Sequence, residues 1–404
     1  MDPEKEGRKI KSVVQMKKIM KKYYFRAKTA RWRRKKVAWI TSGGPVEPLI
    51  AMDVIPVYPE NHGAMIGASK MGVGLCEKSE AMGYSRDLCS YARSDIACSI
   101  VKGGPIGGLS KPDFLVCCNN ICGTVLKWYE IQARYYKVPL FILDTPFIHT
   151  EFSKEAQAYV KRQIKEYIHF LEQVCKKKFN YDKFQEVGRL SIQAQKLWQE
   201  VLDCCAHRPV PMTAFDAFFH LALIVTLRGT KIVVDYYTQL LNEMKQRVAR
   251  GISMLPDEKI RLLWDNIPIW YRVRWLSNKF SEHNASLVTD TYTSAWSGVV
   301  HLLDEDNLLD SMALAYSSVT LNISIDQMFK KMKCLIKKYE VDGVVMHSNR
   351  SCKPYSLGQY DLQKMIRDRL NIPTIILEAD MVDERNFSES QVESRIDAFM
   401  EIFK

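Results

Sequence analysis

Short apolar runs alternate along the chain with longer stretches in which apolar residues return every three or four positions. Val37–Ile40, Val54–Tyr58, Phe114–Cys118 and Leu140–Leu143 are short and almost continuously apolar, as buried strands are. Helical spacing covers 63–82 and Thr124–Tyr136. From about 152 to 206 the pattern is long, helical and rich in charge, with a break near Phe179–Tyr181, and 213–250 is helical again. The strand–helix rhythm then returns. Ser286–Val288, Gly343–Met346 and Thr374–Leu377 read as strands; Ile325–Tyr339, Gln359–Leu370 and Gln391–Phe403 read as helices. Strands separated by helices pair in parallel, with the helices covering both faces of the sheet. The expected fold is therefore α/β, with two doubly wound, Rossmann- or flavodoxin-like parallel-sheet domains and a helical middle. The expected divisions are a basic helical arm at 1–36, a first α/β domain at 37–165, and a helical segment plus second α/β domain at 166–404.

Charge sharpens the picture at one end only. The net charge is +12. Residues 1–36 hold fifteen Lys/Arg against three Asp/Glu, so the arm accounts for the whole surplus and the body is neutral. Such a distribution argues against a nucleic-acid binder, whose phosphate-tracking charge recurs along the fold. Within 10–30, Ile10, Val13, Val14, Met20, Tyr23, Tyr24 and Ala27 fall three or four apart with Lys and Arg between them, which predicts an amphipathic helix. Its basic face is either a solvated surface or a contact for an acidic partner or ligand. The longest apolar block, LALIVTL at 221–227, is far too short to span a bilayer. No apolar leader segment follows the first residues, and eleven cysteines show no disulfide-type spacing. Reduced thiols in the cytoplasm, away from membranes, are the expectation.

Ligands in open α/β sheets gather beyond the carboxyl ends of the strands. Four segments there carry reactive residues: Thr41–Pro45, Pro59–His62, Asn119–Gly123 and His347–Cys352. His62 and His347 are candidates to help bind substrate, whereas no histidine pair has metal-ligand spacing. GGPIGG at 103–108 lacks a clear preceding strand and reads as a tight turn, and no P-loop is present. Cys117, Cys118, Cys204 and Cys205 sit in apolar or helical tracts, and buried packing is the default for them, as for Cys76, Cys98, Cys175 and Cys334. Cys89, Cys122 and Cys352 differ, because each lies in a polar, turn-like context. With no CxxC pair, spacing alone leaves open whether they share a metal.

WITSGGP (39–45), YPENHGA (58–64), DLCSYAR (87–93), LVCCNNICGTVLKWYE (115–130), SAWSG (294–298), HSNRSCKPYSLGQYDLQ (347–363) and LEADMVDER (377–385) resemble the 2-hydroxyacyl-CoA dehydratase family. That family also includes the core subunits of ATP-dependent benzoyl-CoA reductase. The chain looks most like an α subunit of the (R)-2-hydroxyisocaproyl-CoA dehydratase type. The resemblance implies that Cys89, Cys122 and Cys352 bind a 4Fe-4S cluster, with one iron open to water or to the substrate's thioester carbonyl. It further implies a related β subunit with its own cluster, an ATP-dependent iron-sulfur activator and an acyl-CoA substrate. In the family's mechanism one electron enters the thioester, the ketyl radical anion expels the α-hydroxyl, and the β-proton becomes acidic. The electron is then recovered. Ser42 and Glu60 match the family's catalytic serine and glutamate, and the serine favours dehydration over ring reduction. Gly43-Gly44 stands where larger residues are frequent, implying a reshaped acyl pocket, and Cys76 and Cys98 leave a larger cluster open. Two alternatives follow: a benzoyl-CoA-type reductase subunit, or a non-catalytic metal-binding or electron-transfer protein.

Overall fold

Eight strands form two four-stranded sheets in the computed structural model, which describes residues 9–404. The first holds β1 (Val37–Ile40), β2 (Ile55–Val57), β3 (Phe114–Cys118) and β4 (Leu140–Leu143), in the order β2-β1-β3-β4. The second holds β5 (Ile260–Asp265), β6 (Ala285–Asp290), β7 (Gly343–Asn349) and β8 (Thr374–Ala379), in the order β6-β5-β7-β8. Every pairing is parallel. The α/β expectation is met, with two parallel-sheet units and long helices between them.

The central strands are buried on both faces, which explains why they read as continuous apolar runs. Successive side chains still point to opposite sides. Ala38 and Ile40 join one apolar layer and Val37 and Trp39 the other. Each layer continues under the second sheet: Leu263, Val344 and Met346 lie in the first, Leu262, Trp264 and Val345 in the second. The two sheets thus share their cores.

The long helical tract resolves into Lys154–Cys175 and Tyr181–Asp203, broken where the pattern broke. Ser153 and Asn180 cap their N-termini by accepting from the Ala156 and Lys183 backbone N–H groups. The basic helix is Val13–Lys28; it buries Met16, Tyr23, Tyr24 and Ala27, while Val14 is exposed. Tyr23 donates to the Pro56 carbonyl at 2.7 Å, and the Glu243 carboxylate accepts from the Lys11 and Ser12 N–H groups. Residues 1–8 of the expected arm lie outside the described residues. Among the described residues no helix is long and apolar enough to cross a membrane.

The hydrophobic pattern does not mark β5 or the helices Ser90–Val101, Val273–Glu282 and Leu308–Ser317. β5 carries a buried Arg261, held by Glu258 and by the carbonyls of Cys205, His207 and Tyr339, so its charge disguises a central strand. β7 runs on to Asn349, and Pro59–His62 forms the first turn of helix Pro59–Ala68, where loops were expected.

Candidate functional site

In the first sheet the chain leaves β1 for β2 on one side and β3 for β4 on the other, so the crevice opens at the carboxyl ends of β1 and β3. The second sheet has its crevice at the ends of β5 and β7. The two crevices face a common cavity of about 190 Å³. Ser42 follows β1, Cys122 follows β3, Ile267 follows β5 and Cys352 follows β7, and all four line it. Glu60 and Cys89 line it as well. The five residues that the family resemblance singled out, Ser42, Glu60, Cys89, Cys122 and Cys352, therefore meet in one place.

Each cysteine sits at the start of a helix. Cys89 immediately precedes helix Ser90–Val101, Cys352 precedes the short helix Lys353–Ser356, and Cys122 stands just ahead of helix Thr124–Tyr136. Free N–H groups of these first turns approach the sulfurs: Ala92 and Tyr91 at Cys89, Val125 and Thr124 at Cys122, Tyr355 at Cys352. Burial, with a smaller push from the nearby Cys122, lifts the Cys89 thiol up to about 12. Burial and the neighbouring thiols raise Cys352, and burial raises Cys122. Three thiols are gathered where none ionises easily alone, while N–H donors wait to stabilise sulfur charge. That donor set suits a polynuclear cluster, wide enough to reach all three sulfurs. Among the described residues no three His, Cys, Asp or Glu side chains stand close enough to hold a single metal ion.

Contacts between the sheets fix this meeting. Ser351, beside Cys352, accepts from the Ser90 N–H at 3.1 Å and donates to the Ser90 hydroxyl at 3.2 Å, beside Cys89. One turn on, Arg93 pairs with Asp383 at 3.2 Å and with Glu80, and Arg385 joins the same carboxylates. This network is why DLCSYAR and LEADMVDER travel together.

Glu60 lies in the first turn of helix Pro59–Ala68 and is almost fully buried. Burial lifts its pKa to about 7; the hydrogen bond from Tyr129 and the Ser42 backbone N–H hold it back, and Asp95 adds a small push. Tyr129 donates to Oε2 at 3.2 Å, while Oε1 has no hydrogen-bond partner. Sequence reasoning assigned no role to Tyr129 or its neighbour Trp128, although both belong to the KWYE segment. Trp128 lines the cavity and donates to Asp95 at 2.8 Å; Gln132 donates to the same oxygen at 2.6 Å. Burial also lifts Asp95 to about 7.

Away from the thiols the lining turns apolar, with Ile121, Trp296, Val299, Leu303, Val319 and Leu321. Its cation is Arg228, buried and paired with Glu47 at 3.4 Å. Glu47 also accepts from Tyr316 at 2.7 Å and Ser191 at 2.6 Å, and Arg228 donates to the Gly44 carbonyl at 3.1 Å. The pattern gave no sign of this pair, because its halves are far apart in sequence.

Other expectations need correction. His62 and His347 do not line the cavity. His62 is buried near the Pro105 carbonyl, and His347 Nδ1 lies 2.6 Å from the Ile267 carbonyl. Cys76 and Cys98 are buried elsewhere. Gly43 borders the cavity, but a Cβ there would sit 2.5 Å from the Ile121 side chain. The glycine thus seats the Cys122 loop against the Ser42 loop, and Ile121 occupies the space. GGPIGG is the tight turn expected, with Gly104, Gly107 and Gly108 at positive φ.

The family model for "2-hydroxyglutaryl-CoA dehydratase, D-component" matches residues 41–403. The chain is 33% identical to the (R)-phenyllactyl-CoA dehydratase alpha subunit of Clostridium sporogenes, over 99% of this chain and 98% of that one. It is 34% identical to the (R)-2-hydroxyisocaproyl-CoA dehydratase alpha subunit of Clostridioides difficile, over 96% and 94%. A benzoyl-CoA reductase subunit of Thauera aromatica is 28% identical, over 91% and 88%. The family match begins beyond the basic helix, yet the first alignment reaches into it, so the arm has a counterpart in that relative. From the Ser42 loop to the closing helix the match takes in every residue gathered at the cavity, and the chain belongs to the 2-hydroxyglutaryl-CoA dehydratase, D-component, family.

Proposed function

We propose that this chain is the α-type subunit of an (R)-2-hydroxyacyl-CoA dehydratase, a hydro-lyase that forms a 2-enoyl-CoA. The observation carrying this reading is the convergence of Ser42, Glu60 and three cysteines from both sheets on one cavity. Cys89, Cys122 and Cys352 would hold a 4Fe-4S cluster. Thiolates around a cubane are held apart by its width, so they need not be as close as ligands to one ion. With three protein ligands, such a cluster supplies one open iron and a one-electron redox couple.

The chain's own residues supply the rest. The Ser42 hydroxyl, in the loop after β1, would donate to the thioester oxygen. Glu60, with a pKa near 7 and Oε1 unpartnered, is suited to take the β-proton or to protonate the departing hydroxyl. Tyr129 orients it through Oε2. The apolar chamber excludes water and favours an apolar acyl side chain, since the Arg228 charge is already met by Glu47. The named substrates of the phenyllactyl- and isocaproyl-CoA relatives are of that kind. Those relatives are alpha subunits, which supports a second subunit as partner. An ATP-hydrolysing iron-sulfur activator would inject the starting electron.

Reconstitution tests this. The chain, its second subunit, activator, ATP and reductant should form 2-enoyl-CoA with far less than one electron consumed per product. Two electrons per turnover would instead make it a reductase, the activity of the Thauera relative.

A further inference from the structure

A polar pocket of about 390 Å³ lies beside the thiols but apart from the apolar chamber, with no lining residue in common. It is built from the segments that carry two of the cysteines. Arg86 and Asp87 come just before Cys89, and Arg350, Ser351 and Lys353 flank Cys352. Asp380 joins them from the turn after β8. The next residue, Met381, lines the thiol cavity instead, as Cys89 and Cys352 do. These segments therefore form a partition, with an apolar chamber on one side and a charged pocket on the other.

Strand pairing puts Asp380 at this partition. β7 and β8 are parallel neighbours with Asn349 opposite Ala379, and the Arg350 N–H donates to the Ala379 carbonyl at 2.9 Å. Asp380 comes directly after Ala379, and Cys352 three residues after Asn349. The Asp380 side chain is fully buried. Its Oδ1 accepts from the Val382 and Asp383 N–H groups at 2.8 and 2.9 Å, as a turn-capping carboxylate does. Its Oδ2 is buried with no hydrogen-bond partner. The nearby cations are engaged elsewhere: Arg93 and Arg385 with Asp383 and Glu80, Arg350 with Glu378 at 3.5 Å, and Lys353 with the Arg350 carbonyl at 2.6 Å. A neutral Asn or Ser would cap the same turn without burying a charge, so the charge itself calls for an explanation. Burial and the neighbouring thiols do most to raise Cys89 and Cys352, and Asp380 adds a smaller push to both. A field that opposes negative charge on a sulfur also opposes an added electron on a cluster bound by it.

We propose that the buried charge of Asp380 sets the reduction potential of a cluster held by Cys89, Cys122 and Cys352, keeping it low. This rests on reading the three thiols as a cluster site. Net charge and solvent exposure are main controls on the potential of an iron-sulfur cluster, and a charge away from water is little screened. Reduction adds negative charge, so a fixed carboxylate beside two of the ligands disfavours the reduced form and makes it the stronger donor. One-electron reduction of a thioester demands such a donor. Asp380 does not line the thiol cavity, so it is a positioning residue that acts through the thiolates and touches no substrate. Asp87 borders the same pocket but is exposed, where water and salt screen it.

The test is a redox titration of the anaerobically purified full chain with its second subunit, followed by electron paramagnetic resonance. The signal missing from Cys352→Ser identifies the cluster of this chain. Asp380→Asn keeps the capping acceptor and removes the charge. It should shift the reduction equilibrium about tenfold or more towards the reduced form, which is a potential about 59 mV more positive for a one-electron couple, with iron and sulfide content unchanged. Asp380→Ser should shift it in the same direction and serves where the amide misfolds. Asp380→Glu, which restores the charge, should stay near wild type, and Asp87→Asn should shift the potential much less. An unshifted or lowered potential in the charge-free variants, or an equal shift from Asp87→Asn, would overturn the role of Asp380 and leave the cluster in place. A wild-type complex without any signal that depends on Cys352 would refute the cluster reading and this inference with it.

Discussion

Replacing Glu47 by glutamine should destabilise the protein and redirect its acyl preference at once. Glu47 and Arg228 are both almost fully buried, and the carboxylate also receives hydrogen bonds from Tyr316 and Ser191. The amide keeps the shape and one acceptor but leaves a buried guanidinium uncompensated. Removing one partner of such a pair costs about 3–5 kcal/mol, whereas the intact pair adds little over an apolar filling. At about 2 cal/mol/K of unfolding entropy per residue, a chain of 404 residues should lose roughly 4–6 °C in Tm. Arg228 borders the acyl chamber, so its freed charge faces whatever occupies that space. The KM for an apolar 2-hydroxyacyl-CoA should rise, and discrimination against a carboxylate-bearing 2-hydroxyglutaryl-CoA should fall. Calorimetry and steady-state assays on both esters measure the two effects. An unchanged Tm together with an unchanged preference would refute the assignment of Arg228 as a neutralised cation at the chamber wall.

Asp95→Asn should raise stability in a pH-dependent way. Burial lifts the folded pKa to about 7 from an ordinary value of 3.8, so the folded state binds the extra proton between them. The penalty is absent below pH 4, grows through that window and is complete above pH 7, at about 4 kcal/mol or less. Thermal melts of wild type and variant should converge at acid pH and separate by several degrees at pH 8. Glu60→Gln should lower kcat by roughly 10²–10⁴-fold with the fold intact, as loss of a proton-transfer group does. Equal kcat would remove Glu60 from the reaction. Anaerobic Cys352→Ser should lose most bound iron and sulfide, while Cys117→Ala, buried outside the cavity, should keep them; elemental analysis decides.

Much of the site was legible because its residues follow buried strands. Val37–Ile40 and Phe114–Cys118 are apolar on both faces, so their ends are easy to locate, and Ser42 and Cys122 come directly after them. Cys89 was readable only by its polar setting and by resemblance, since the pattern did not mark helix Ser90–Val101. The histidines misled because a histidine near a strand end is conspicuous in sequence, yet His62 and His347 turn inward to backbone carbonyls. Arg261 hid β5 for a related reason: a buried charge satisfied by distant carbonyls looks like a surface residue in one dimension.

By itself the sequence determined most of the elements, the parallel α/β class and the reactive side chains at the strand ends. Those properties depend on near neighbours: side-chain period, cap residues and the two-sided burial of parallel strands. Only the tertiary structure decided that the two crevices face one another, that Ser351 pins Cys352 beside Cys89, and that Glu47 cancels Arg228. It also turned the basic stripe of the N-terminal helix into the rim of a trench beside the cavity. Each of these depends on contacts between residues tens to hundreds of positions apart, for which local spacing carries no signal.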